Sequence, residues 1–460
     1  MAFYMSPGVY PRELDLSTIA PAVSTTVAAL VGYSKKGTLD VNLVTNKQQF
    51  IQEYGEPTPG NYFHYTALAF LENGSRLYCK RVINGALYAG AHIKDSGSSE
   101  DNEAFTVGQS SAVFYDESGV QDELFSIFAK DPGAWGNNVS VVIKNVKGAG
   151  QDESTEDYTF EIDVYYTDSE GTTSKVENWK VSRKHKLDGN GKQLYLEDKI
   201  NGYSSYIVVA DSSRDDTLVP KEQSTMLSLG GGDDGSVPTA SQIAGTEADQ
   251  SGWYAFINPE NVDVRILLDG GFTSSHSADD IVIIQNAMKT IAESRKDCIA
   301  ILSVPESECA DVDDTITYRN STLNINSSYC ALYAPWPRIN DAYNDRLVYV
   351  PPSGYVGSQM AYNDYVADTW DAPAGLNRGM LNVLSLSKVY TSGERDSLYE
   401  AGVNPLQVFR GEGIAIWGQK TLQKKASALD RVNVRRLLIA IEKTMSILLR
   451  DFVFEPNDEI

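Results

Sequence analysis

Histidine and cysteine are scarce in this 460-residue chain, with four of each. His64, His92, His185 and His276 lie far from one another and from any cysteine, so no metal-ligand spacing of the zinc type occurs. Cys79, Cys298, Cys309 and Cys330 form no C-x-x-C pair and are too few for a disulfide framework, which leaves buried thiols as the expectation. Basic residues are also short, with 39 Lys and Arg against 62 Asp and Glu and a net charge of −23. That balance argues against a partner recognised through its phosphates, so no nucleic acid is expected. No apolar run approaches the roughly 18 to 20 residues that span a bilayer, so no membrane insertion is expected. The segment Met1 to Pro11 lacks the basic head and apolar stretch of a secretion signal, which points to synthesis in a cytoplasm.

Catalytic signatures are missing too. No G-x-S-x-G elbow occurs. The run Gly230 to Gly235 lacks the Gly-Lys-Ser/Thr ending of a phosphate loop, and Asp233 and Asp234 would repel phosphate, so it reads as a hinge or linker. Asp311, Asp313 and Asp314 lack the Gly and distal Glu of an EF-hand and read as a surface cluster or helix start. The expectation is a chain with no catalytic residue, no cofactor and no metal. A serine close to a histidine in a cleft would contradict it.

What the chain does have is a globular composition, 42% hydrophobic and 10% aromatic, over a length suited to two to four domains. Residues 1–20 carry Pro7, Gly8 and Pro11 among apolar residues, which suits an extended arm rather than a helix. Strand-like and helix-like text alternates over 21–92, with VSTTVAALVGY and RLYCKRV as strands, a short helix at Asn46 to Tyr54, and a second helix striped by Phe63, Ala67, Phe70 and Leu71. Residues 93–250 differ: from Lys94 to Gln250 there are 29 acidic and 13 basic residues, and turn-rich text separates the short runs VSVVIKNV, YTFEIDVYY and YIVVA. This predicts an inserted, acidic, β-rich outer domain whose charge keeps neighbouring copies apart and soluble. The α/β text resumes over 251–395, with a helix at Asp279 to Ser294 and an irregular stretch where PWPRIN and VPPSGYVG interrupt regular structure. Residues 396–460 are the least negative part, and Val432 to Arg450 is the most periodic helix.

Two lines run along that helix. Val434, Leu437, Leu438, Ile441, Met445 and Leu448 recur at helical spacing and read as its buried stripe. Arg436, Lys443 and Arg450 recur every seven residues beside it, either as a line that docks an acidic partner or as a solvated face.

Several phrases are more specific. SPGVYPRELDLS followed by VSTTVAALVGYSKKG resembles the opening of the contractile tail sheath proteins of bacteriophages, and DPGAWGNNVSVVI resembles a phrase of the same family. APAGLNRG, GVNPLQVFRGEGIAIWGQKTL, DRVNVRRLLIAIEKTM and FEPND follow in the family's order. The resemblance implies an α/β core, subtilisin-like but non-catalytic, carrying an inserted β-rich outer domain. It implies a structural subunit that polymerises helically with identical copies around a tail tube, contracts to drive the tube through the host envelope for genome ejection, and meets baseplate and tail terminator proteins in the virion. The sheath of a related bacteriocin or secretion-type injection machine is the nearest alternative, and a β-rich carbohydrate-binding tail protein a more distant one. The arm residues Pro7, Gly8, Val9, Tyr10, Leu14 and Leu16 would add to the sheet of a neighbouring copy, and Lys424, Lys425, Arg436, Lys443 and Arg450 are the candidate tube-facing cations. Gly375, Asn377, Gly413, Trp417 and Gly418 read as fold-determining, with the Trp417 indole in the core. Family members usually continue past the FEPND phrase, so an end at Ile460 implies a shortened chain that assembles poorly.

Overall fold

The computed structural model of the chain describes residues 26–94, 104–106, 123–148, 158–168, 170–212, 216, 218–223 and 225–454. The arm residues Pro7, Gly8, Val9, Tyr10, Leu14 and Leu16 lie outside them. The chain begins with β1 (Val27–Tyr33) and β2 (Asn42–Val44), then α1 (Lys47–Tyr54), α2 (Tyr62–Phe70) and β3 (Arg76–Val82). Asn46 and Asn61 start the two helices by accepting the Gln49 and Phe63 amides on their side chains, which fills donors a helix start leaves unpaired.

A β-rich unit follows. It comprises β4 (Leu87–Lys94), β5 (Ala104–Thr106), β6 (Glu123–Ala129), β7 (Val139–Lys144), β8 (Thr159–Thr167), β9 (Thr173–Ser182), a short α3 (Leu196–Ile200), β10 (Ile207–Asp211) and β11 (Leu227–Ser228). Among the described residues these strands form two antiparallel sheets, ordered β10-β6-β4-β5 and β11-β7-β8-β9. Their inner positions, Phe125, Ile127, Ile143, Phe160 and Val164 among them, share one buried cluster.

The chain then returns through α4 (Ala240–Ala244), β12 (Ile266–Leu268), α5 (Ala278–Arg295), β13 (Ile299–Ser303), α6 (Val312–Thr317) and β14 (Cys330–Ala334). It continues with β15 (Pro337–Asp341), β16 (Arg346–Tyr349), α7 (Pro352–Val366), β17 (Met380–Leu381) and β18 (Ser385–Leu386), and closes with α8 (Ser392–Glu400), β19 (Val403–Phe409), β20 (Gly413–Ile416) and α9 (Val432–Leu448). A nine-stranded sheet, ordered β17-β20-β19-β14-β13-β12-β1-β3-β2, joins the two halves of this core. Its six central strands are parallel, and the outer pairings are antiparallel. Parallel strands covered on both faces must be apolar throughout, and every residue of VAALVGY, IAILS and CALYA is buried. Alternation along β1 serves the two layers: Val27, Ala29 and Val31 pack with α4 and α5, while Ala28 and Leu30 pack with α1, α2, α7 and α9.

Two expectations are corrected. The stretch containing PWPRIN and VPPSGYVG is not irregular: Pro337–Asp341 is β15, paired with β16 and β18, and α7 begins in the second phrase, because Pro352 stands in the first turn, where its missing amide costs no helical hydrogen bond. Gly354 and Gly357 are its contact face rather than breaks. A Cβ on Gly354 would stand 2.7 Å from the Thr66 carbonyl oxygen, and one on Gly357 would stand 2.7 Å from Leu268 Cδ2. The run Gly230 to Gly235 is no loose hinge. Gly230 bridges Gly90, Asp233 bridges Leu87, and the Asn137 side chain both donates to and accepts from the Gly232 backbone. Asp311 is a helix start, accepting the Asp313 amide. The four cysteines are buried and unbridged.

Candidate interaction surface

The least negative part of the chain ends in α9, and its placement departs from the sequence expectation. Residues 432, 435, 436, 439 and 443 lie on one side of a helix, and 434, 437, 438, 441, 445 and 448 lie on the other, roughly half a turn away at 100° per residue. The side facing the protein is the first. Val432 and Ile439 join the buried cluster of the sheet. Arg435 donates to Ser328 Oγ at 2.6 Å and lies over the Tyr329 ring. Arg436, expected on a partner-facing line, is only 3% exposed and pairs with Asp364 of α7 at 2.5 Å. Lys443 reaches Asp263 at 3.1 Å and Asp297 at 3.8 Å. Those two carboxylates also receive Arg265, and Asp297 receives Arg295 as well, at the edge of the sheet where β12 and β13 begin.

The apolar stripe expected to be buried is therefore the outer side. Ile441 and Met445 are 47% and 48% exposed, Leu449 follows them, and Val434, Leu437, Leu438 and Leu448 are half-buried. The cause is electrostatic. Burying Asp364 without a counter-charge would cost more than leaving apolar groups in water, and Arg436 of α9 supplies that counter-charge, while Lys443 adds to the pairs that Asp297 makes with Arg265 and Arg295. Tyr365, Val366 and Trp370 at the end of α7 are also exposed, and Asn433 of α9 donates to the Trp370 carbonyl.

The remaining candidate cations stand at the two ends of α9. Lys424 donates to Asn324 Oδ1 at 2.7 Å, Lys425 is exposed in the same loop, and Arg450 is exposed in the 3-10 turn that follows the helix. Gly375 and Gly413 adopt positive φ, and Gly418 lies so close to Asn404 that a Cβ would stand 2.8 Å from its side-chain oxygen. Asn377 is exposed in the turn between α7 and β17. Trp417, expected in the core, is 42% exposed and packs on Phe409 with ring centroids 4.6 Å apart. The indole covers its own hairpin from outside. At the sheet's margins, β2 pairs only with β3 and β17 only with β20 among the described residues. Short edges of this kind retain unpaired backbone groups on the outer side.

The histidines are committed to internal contacts. His64 is buried, its Nε2 stands 3.2 Å from the Tyr54 carbonyl and 3.5 Å from Ser34 Oγ, and burial pushes its pKa down to about 4. A ring nitrogen donating to a carbonyl cannot at the same time take a proton from serine. His92 Nδ1 lies 3.0 Å from Ser126 Oγ, with both side chains buried. His276 lines a cleft, where its Nδ1 accepts the Thr273 amide and its Nε2 faces the Pro238 carbonyl. His185 stacks on Tyr195. Among the described residues no group of three or more His, Cys, Asp or Glu is placed to hold a metal, and no helix is long and apolar enough to cross a membrane.

Residues 243–422 match the family model of the phage tail sheath protein central domain. The tail sheath protein of Vibrio phage KVP40 is 28% identical over 291 residues, covering 59% of this chain and 41% of that protein. The tail sheath protein of Enterobacteria phage T4 is 29% identical over 301 residues, covering 62% and 43%. The chain thus spans about two fifths of the length of these relatives. In fold it is similar to the sheath tail proteins of Listeria innocua, with a TM-score of 0.56 at 10% identity over 94% of this chain and 79% of that one, and of Desulfitobacterium hafniense, with 0.52 at 11% over 97% and 83%. Over residues 243–422 the chain is thus similar to the central domain of phage tail sheath proteins.

Proposed function

We propose that the chain is a structural subunit of a contractile tail sheath, polymerising helically with identical copies around a tail tube and driving the tube through the host envelope when the polymer shortens. The observation that carries this reading is the outward apolar side of α9 on a sheet of tail sheath type. A single copy leaves Ile441, Met445 and Leu449 in water while spending its cations inside, which suits a part that is covered on assembly. Interfaces that repeat head to tail without closing build a helix, and contraction is then rigid-body movement of copies against one another.

In this reading the tube-facing residues are Lys424, Lys425 and Arg450, together with the apolar side of α9. Arg436 and Lys443 act from beneath by fixing the roll of the helix. The arm, Pro7 to Leu16, adds to the sheet of a neighbour, and the short edges β2 and β17 are the places such a strand could pair. Baseplate and terminator proteins cap the polymer in the virion. The six parallel strands between two helical layers are what a subtilisin-like, non-catalytic core requires, and no covalent step is assigned to it.

Co-expression of the full-length protein with a tail tube protein, followed by electron microscopy, tests the proposal. Sleeves or stacked discs are expected, and the double variant Ile441→Glu, Met445→Glu should lose them while remaining folded by circular dichroism. Inert monomers under every condition would overturn the reading.

A further inference from the structure

A cleft of about 750 Å³ lies between the turn after α6, the end of α8 and the loop 420–430, and of its lining residues the sheath reading uses only Lys424. At its floor is Arg319, 2% exposed, whose Nη2 donates to the Leu422 carbonyl at 3.0 Å. Among the described residues its Nε and Nη1 meet no acceptor, so there a charged guanidinium is buried with N–H groups unfilled. Leaving such donors unpaired away from water is costly, and an anion recovers that cost. Burial pushes the Arg319 pKa down, the same penalty seen from the proton's side.

The walls suit an approaching chain. Gly402, with φ +85°, borders the cleft where a Cβ would stand 3.9 Å from Arg319 Nε, so the missing side chain keeps the approach open. Lys420 and Lys424 stand at the rim, the first donating to the Tyr399 carbonyl at 2.8 Å and the second to Asn324 Oδ1. An ammonium group has three donors, so each retains capacity. Of the lining carboxylates, Asp430 is held by Arg431 at 3.3 Å, and Glu400 stands at the end of α8. The balance favours a guest with negative charge.

We propose that this cleft is a receptor for a carboxylate side chain carried on an acidic segment of a second copy of the chain. This rests on the sheath reading, which sets copies side by side. With 62 acidic residues against 39 basic ones, a neighbouring copy is a dense source of carboxylates. The size of the opening suits a peptide loop better than a lone ion.

The test has two arms on the full chain. In the first, fluorescein-labelled hexaglutamate is titrated at low salt and followed by anisotropy. Wild-type protein should bind it saturably, and Arg319→Met and Lys424→Glu should each weaken binding by about tenfold or more, the loss expected for one charge-assisted hydrogen bond. Because Arg319→Met removes the bond to Leu422, Asn320→Trp provides a second variant that obstructs the rim and leaves the guanidinium in place. In the second arm, sedimentation velocity should show the same variants lowering self-association by a similar factor. No saturable binding, or equal binding by all variants, would sink the receptor. Weakened peptide binding with unchanged self-association would overturn the second-copy occupant in favour of a free anion or another protein. Sleeves that form normally with Arg319→Met would end this inference and leave the sheath reading intact, whereas wild-type protein that binds the peptide and never polymerises would do the reverse.

Discussion

Helices α7 and α9 lie on the same side of the sheet and are held there by opposite means. α7 approaches closely: Gly354 and Gly357 let its backbone rest against α2 and Leu268, and most of its residues from Pro352 to Ala361 are buried. Its first turn sits on a polar knot in which Asp269 accepts from Gln285 and twice from Ser303, while Ser303 Oγ accepts the Ser353 amide. α9 buries few of its residues and is latched by Arg435, Arg436 and Lys443, so its apolar side remains outside. A helix that carries fold stability is buried along most of its first three turns. A helix that serves a partner can be fixed through charge and keep its apolar groups for the contact.

Substitutions should separate the two modes of attachment, beginning with the largest effect. Gly354→Val drives methyl groups into the Thr66 backbone, which cannot yield, and should cost about 4 kcal/mol or prevent folding. Thermal and urea denaturation would read it, and a loss under ~1 kcal/mol would show that α7 has room to move. Arg436→Met strands the buried Asp364 carboxylate and should cost about 3 kcal/mol. Adding Asp364→Leu should recover part of that loss, and no recovery would mean that the pair is not the latch.

Asp269 supplies a pH test of the knot beneath α7. Burial raises its pKa to about 6 in the folded chain, above the ordinary 3.8. A raised carboxyl pKa favours folding fully below about pH 4, and that contribution is lost as pH rises through 6. Asp269→Asn cannot ionise, and its amide can donate to Ser303 Oγ while its oxygen retains the other two bonds. Its stability relative to wild type should therefore improve by about 2 kcal/mol between pH 4 and pH 7. A difference that stays constant across that range would refute the assignment. The smallest effect belongs to the outer side of α9: Ile441→Lys and Met445→Lys should each change the stability of the isolated chain by less than ~0.5 kcal/mol. A large loss would mean that these side chains already support the fold.

Much of the core was legible in the sequence because its signals are local. RLYCKRV is a strand over all seven residues, and Ser277 and Asp280 form the capping box that starts α5 close to where periodicity placed it. Asn46 starts α1 by accepting the Gln49 amide on its side chain. The β-rich runs VSVVIK and TFEIDVYYT are strands of one sheet. α7 was missed because Pro and Gly were weighed as breakers, when one occupies a permitted first turn and the other makes close helix contact possible. Of the surface candidates, Lys424, Lys425 and Arg450 kept outward positions. Arg436 and Lys443 did not, and no local signal marks them, since the carboxylates that claim them come from distant segments.

Composition and periodicity determined by themselves that this chain is an acidic α/β protein with a β-rich middle, and which residues of α9 share a side. Which of those sides turns inward was decided only in three dimensions. Asp297 and Asp364 are brought under the helix by strand order and by the packing of α7, with Asp263 exposed beside them. A carboxylate removed from water needs a cation more than a leucine needs cover, and that preference settles the roll of the helix.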